Sequence, residues 1–110
     1  MERLVKGDVV VLPFPYTDLS GAKKRPAVVI AALKENNVIL AQITTVHRRD
    51  KDSISLTKRD FATGSLSHDS LITTSLIFTS DSSRISYKVG ALTNLKIKQI
   101  EQKLCEIFTR

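Results

Sequence analysis

The chain is short of most residue types on which metal, redox and nucleotide-binding motifs are built. It has one cysteine, Cys105, which excludes an internal disulfide, and no second thiol stands at metal-ligand spacing. Its two histidines, His47 and His68, are not spaced as a metal pair, and H-E-x-x-H, C-x-x-C and G-x-S-x-G are all missing. Only four glycines occur in 110 residues, and none forms a phosphate-cradling loop. No apolar run approaches the ~20 residues that cross a bilayer. The opening Met-Glu-Arg-Leu-Val-Lys-Gly-Asp lacks the hydrophobic core of a signal peptide. These gaps lead to the expectation of a cytoplasmic protein that uses no metal and no cofactor and makes no membrane contact.

What is present suits a packed globule. The apolar share is 42%, and the 25% of charged residues are dispersed rather than blocked, which argues against disorder. Length fits one domain over 1–110, with no repeat, low-complexity run or linker to divide it. Lys and Arg number 17 against 11 Asp and Glu, giving a net charge of +6 and favouring an acidic partner such as nucleic acid. The cations cluster at Lys23-Lys24-Arg25, at His47-Arg48-Arg49 with Lys51, and at Lys58-Arg59, all between apolar segments.

Those apolar segments read mostly as strands. Residues 8–12 and 26–33 are β-branched and apolar on both faces, as buried strands are. Asn36-Asn37 is a turn signal before a third strand over 38–44, and 53–56 alternates as a short half-exposed strand. Residues 62–67 read as a loop. Strand follows over 70–74 and 76–79, with a break near Ser75, then a turn at 81–83 and a last alternating strand over 85–89. Only the tail has helical period: Ile97, Ile100, Leu104 and Ile107 form one apolar stripe behind a Thr93 N-cap, with Lys96, Lys98, Glu101, Gln102 and Lys103 on the polar face. The sum is a mainly β domain of about six or seven strands closed by a C-terminal helix.

The connection from Leu12 to Pro26 is far longer than the 4–6 residues usual in compact domains, and long connections tend to carry function. It ends on three cations, and Arg25 stands directly before Pro26, which biases it toward extended backbone. A guanidinium held there can donate two hydrogen bonds to phosphate oxygens and stabilise charge developing on them. A solvated loop end explains the same arginine equally well. Thr44 and Thr45 close the third strand just before the His47-Arg48 cluster, where a hydroxyl beside cations can bond phosphate; threonine is also a routine strand residue. An imidazole suits acid or base work, which makes His47 a candidate, whereas His68, beside Asp69, reads as structural. Phe14 and Tyr16 are candidates to stack on unpaired bases or to fold the loop onto the core.

K-G-D-V-V-V at 6–11, P-F-P-Y-T-D-L-S-G at 13–21, K-R-P-A-V-V-I at 24–30 and A-Q-I-T-T at 41–45 together resemble the PemK/MazF family of toxins. D-S-L-I at 69–72, T-S-D at 79–81 and the helical tail carry the resemblance over nearly the whole chain. It implies the SH3-like small barrel of PemK, MazF and CcdB-like toxins, a homodimer, and a metal-independent, sequence-specific endoribonuclease acting on single-stranded RNA. In that chemistry the substrate's 2′-hydroxyl attacks the adjacent phosphate, leaving a 2′,3′-cyclic phosphate and a 5′-hydroxyl. By position, Arg25 matches the arginine that stabilises or protonates at the scissile phosphate, and Thr44 the threonine that contacts it. Tyr16, Lys23, Lys24, Thr45, His47 and Arg48 are the expected RNA-binding set, with the body of the Pro13–Gly21 loop as lid and base selector. The resemblance also implies a small acidic antitoxin as partner, and DNA contact only within an antitoxin complex. One departure stands out: Phe78 occupies the place of a family cation, leaving Arg84 or His47 as substitutes. Base preference does not transfer. Two other readings share the barrel, a non-catalytic nucleic-acid-binding or interaction module and a gyrase-poison-like toxin.

Overall fold

The computed structural model describes residues 3–14, 23–46 and 50–110. Among them, seven strands form one antiparallel sheet: β1 (Asp8–Pro13), β2 (Lys24–Ala32), β3 (Asn37–Thr44), β4 (Ile54–Leu56), β5 (Phe61–Gly64), β6 (Ser70–Asp81) and β7 (Tyr87–Leu92), in the order β4-β6-β3-β2-β1-β7-β5. One helix, α1 (Asn94–Thr109), follows. No helix among the described residues is long and apolar enough to cross a membrane.

The central strands are apolar on both sides because each side of the curled sheet carries a core. Val9, Val28, Ala41 and Ile43 pack with Ile72 and with Ile100 and Leu104 of α1 on one side. Val10, Leu12, Phe14, Ala27, Val29, Leu40 and Ile85 pack on the other, with Phe78 against them. Strand residues alternate faces, so continuous Val/Ile runs are what burial on both sides demands.

Four features differ from the sequence expectation. Strand β2 begins at Lys24, so Lys24 and Arg25 belong to the sheet, paired with Pro13 and Leu12, rather than to a loop. The 62–67 segment is strand at its start: β5 pairs with β7, and the strands approach so closely at Gly64 and Gly90 that a Cβ on Gly64 would stand 2.0 Å from the Val89 carbonyl oxygen. Gly64 also has φ of +67°, a conformation glycine adopts without strain. β6 runs unbroken through Ser75; what breaks there is its pairing, which jumps from Ala41–Ile77 to Gln42–Thr73. The strand expected over 85–89 starts at Tyr87, since Ile85 is turned into the core and the Ser86 N–H donates to the Val11 carbonyl at 2.8 Å.

The apolar stripe and cap of α1 match the sequence: Ile100 and Leu104 are buried, and the Thr93 hydroxyl accepts from the Lys96 N–H at 3.2 Å. Lys96 does not stay on a solvent face. It is 6% exposed, and its Nζ donates to the Ser55 carbonyl at 3.0 Å and the Gln99 amide oxygen at 2.7 Å, with Asp60 at 3.5 Å. A buried ammonium is tolerated when paired and hydrogen-bonded, and this one pins α1 to β4.

Candidate nucleic-acid interface

The start of β2 and the end of β3 bring the candidate site residues to one end of the sheet. Leu12 faces Arg25 in the β1–β2 ladder, and Ala27 faces Gln42 in the β2–β3 ladder. Carrying the second register on by two residues sets Arg25 in line with Thr44. Both side chains lie on the face of Leu12, Ala27 and Leu40, because alternate residues of a strand share a face. The sequence adjacency of Lys24 with Arg25, and of Thr44 with Thr45, hides this division.

Arg25 is half-buried at the margin of that core, and its Nε is fully buried without a hydrogen-bond partner among the described residues. Native interiors pair nearly all such donors, so an unpaired one calls for a reason, and a ligand acceptor is one. Thr44 accepts a hydrogen bond at Oγ1 from the Val46 N–H at 3.1 Å. That bond occupies the oxygen as acceptor and leaves the hydroxyl proton to donate. A guanidinium and a hydroxyl on one face of the same sheet end, both able to donate, suit a phosphate.

The other face of the same sheet end holds a groove of about 380 Å³, lined among others by Lys24, Pro26, Thr45, His68 and Tyr87. Lys24 and Thr45, expected beside Arg25 and Thr44, therefore stand across the sheet from them. His68 and Tyr87 enter the site unannounced: His68 is exposed rather than structural, and Tyr87 is 53% exposed. The sequence puts Tyr87 on the apolar phase of its strand with Ile85 and Val89, so nothing in the pattern marks its ring as exposed. Lys23 is exposed, with its carbonyl accepting from the Phe14 N–H at 3.3 Å. Tyr16, His47 and Arg48, and the Pro15–Gly21 part of the segment expected to act as a lid, lie outside the described residues.

Phe78 serves the core. Its ring meets Phe14 edge to face at 5.1 Å, and Phe14 is only 2% exposed, so the stacking role considered for Phe14 gives way to packing. Arg84 lines a neighbouring groove of about 270 Å³ with Phe78, Leu12 and Pro13. The turn carrying Arg84 is fixed by Asp81, whose carboxylate accepts from the Ser83 N–H at 2.8 Å; this bond holds the Asp81 carboxyl below its usual range. No three His, Cys, Asp or Glu side chains among the described residues come together as metal ligands.

The model of the PemK-like, MazF-like toxins of type II toxin–antitoxin systems matches residues 5–108. The chain belongs to that family. Among curated proteins none matches it in sequence. Solved structures do match in shape. An endoribonuclease from a mycobacterial species in complex with its cognate antitoxin is similar with a TM-score of 0.76 at 14% identity, over 96% of this chain and 95% of that one. A second mycobacterial endoribonuclease gives 0.73 at 16%, over 98% and 93%. The Mycobacterium tuberculosis toxin MazF-mt6 gives 0.72 at 15%, over 92% and 95%. At these identities the likeness speaks for the PemK/MazF fold, a curled β sheet with a C-terminal helix.

Proposed function

We propose that this PemK/MazF-family chain is an endoribonuclease that cuts single-stranded RNA without a metal, acting as one domain at the Arg25–Thr44 end of the sheet. The observation that carries the reading is that Arg25, whose Nε has no partner among the described residues, and Thr44, whose hydroxyl can still donate, share one face of the sheet end. In the reaction the RNA's own 2′-oxygen forms a bond to the adjacent phosphorus while the bond from phosphorus to the 5′-oxygen breaks. The 2′-hydroxyl proton is given up and the departing 5′-oxygen gains one, leaving a 2′,3′-cyclic phosphate and a 5′-hydroxyl. Negative charge builds on the phosphoryl oxygens in between. Guanidinium groups keep their protons in proteins, so Arg25 acts by stabilising that charge rather than by proton transfer. Thr44 adds a hydroxyl donor to the same oxygens. The nucleophile comes from the substrate, so the scheme needs no metal-bound hydroxide.

Three supports are independent of this geometry: the family match, folds similar to two proteins described as endoribonucleases, and the net charge of +6. The same charge suits an acidic antitoxin, and one of the similar structures is held by its cognate antitoxin. A homodimer in the cytoplasm completes the reading. The test is to incubate wild-type protein and Arg25→Ala with a long single-stranded RNA and map new ends. Cleavage by the wild type and none by the folded variant is expected; equal cleavage by both would remove Arg25 from the chemistry. A second reading, a binding module without catalysis, draws on Phe78, which spends on core packing a position where many members of the family are expected to carry a cation. RNA binding without new ends would favour it.

A further inference from the structure

We propose that the groove lined by Lys24, Thr45, Ser65, Ser67, His68 and Tyr87 is a nucleotide subsite holding the residue next to the scissile phosphate. This inference rests on the endoribonuclease reading and names the part of the protein that chooses the base.

The groove meets the chemistry at the start of β2. Lys24 faces into it and Arg25 faces the other way, one residue step of ~3.4 Å along the same strand. An RNA chain that crosses this sheet end with its phosphate at Arg25 enters the groove at once. At about 380 Å³ the groove is within the ~300–1,000 Å³ typical of small-ligand sites.

Its chemistry fits a nucleotide at each point. Val11, Pro26 and Val89 make an apolar floor, and the half-exposed Tyr87 ring offers a face on which a base can stack. Two serine hydroxyls and the His68 imidazole supply donors and acceptors for base edges, and Lys24 and Thr45 supply phosphate contacts. Among the described residues no carboxylate lines it, unlike the grooves that include Glu35 at the far end of the sheet and Asp81 beside Phe78. The wall is also built rather than draped. The tight Gly64–Gly90 approach sets where the 65–68 segment leaves β5, and the Ser70 hydroxyl donates to the His68 carbonyl at 3.0 Å. An acidic peptide would use Lys24 but has no use for a flat aromatic face or an edge-reading hydroxyl set.

The test compares wild type, Tyr87→Ala, Tyr87→Phe and His68→Ala. Cleavage sites are mapped on a long single-stranded RNA, and kcat and KM are then measured on a short substrate carrying the mapped site. Tyr87→Ala is expected to raise KM about tenfold with kcat unchanged, since stacking is lost, and to relax the preference at one base beside the cut. Tyr87→Phe keeps both. His68→Ala relaxes the same base preference. Unchanged KM and unchanged motif in both alanine variants, with the wild type cutting, overturns the subsite and leaves the endoribonuclease reading standing. A wild type that cuts no RNA overturns that reading instead, and binding then decides the subsite. Random six-nucleotide single-stranded DNA, which lacks the 2′-hydroxyl, should shift the Tyr87 and His68 ring resonances in an NMR titration. Shifts produced by a polyglutamate peptide and not by the oligonucleotides overturn it. Circular dichroism melts check that the variants fold.

Discussion

At the scale of single residues, the proposed site rests on what Arg25 and Thr44 lack. Arg25 keeps a buried donor unpaired and Thr44 keeps a hydroxyl proton uncommitted, both on one face of the sheet end. An unmade buried hydrogen bond costs about 1–3 kcal/mol, so an arginine that keeps one calls for a reason beyond folding. Thr44→Val tests the pair most gently, since it keeps the shape of the side chain and deletes the hydroxyl. We expect the cleavage rate to fall at least about tenfold, or ~1.4 kcal/mol of transition-state stabilisation, with the melting temperature little changed. A wild-type rate would exclude a catalytic hydroxyl. Both residues were legible in the sequence as a cation before proline and a threonine at a strand end. Their placement on one face, with Lys24 and Thr45 on the other, follows from the two-residue period of a strand once Lys24 is known to be inside it. The sequence reading started the strand at Pro26, and so grouped the four by adjacency.

At the scale of elements, helix α1 was readable from its stripe of Ile97, Ile100, Leu104 and Ile107, and its burial of Lys96 was not. A lysine among polar neighbours reads as solvated; only the tertiary placement of Ser55 and Asp60 against the helix makes it a buried tie. Lys96→Met is expected to lower stability by about 1.5–3 kcal/mol, the range for hydrogen bonds to a charged group, measured by urea denaturation; an unchanged midpoint would show that the contacts carry no net stability. Strand β5 was missed for a similar reason, since its pairing rests on the close approach at Gly90 and not on an apolar pattern of its own.

The end of α1 is tied back as well. Arg110 grips Asp52 with two hydrogen bonds, at 3.1 and 2.9 Å, and the Asp52 carbonyl accepts from the Thr74 hydroxyl. The hydrogen bond from Arg110 holds the Asp52 carboxyl below its usual range. A carboxylate depressed in the folded state contributes stability that is present above its unfolded pKa and lost as pH falls through the folded one. Arg110→Ala should therefore lower the melting temperature at neutral pH and make little difference once pH is well below the carboxylate range. The same deficit at both pH values would mean that packing, not charge, holds the contact.

At the scale of the molecule, the order of strands and helix was largely written in the apolar runs, because a sheet buried on both sides leaves continuous Val and Ile segments. The course of β6 was less so. Its pairing changes register across Thr74–Leu76 while the strand itself continues, and no local signal distinguishes that from a break. The net charge of +6 favours polyanionic partners, and the proposed site at one end of the sheet is where they would be acted on. The measurement that tests this account most directly is end-group analysis of a long single-stranded RNA incubated with the purified protein in excess chelator. The account predicts discrete new ends carrying 2′,3′-cyclic phosphate and 5′-hydroxyl, formed at full rate without metal. Intact RNA, or cleavage that appears only when a divalent metal is restored, would contradict it.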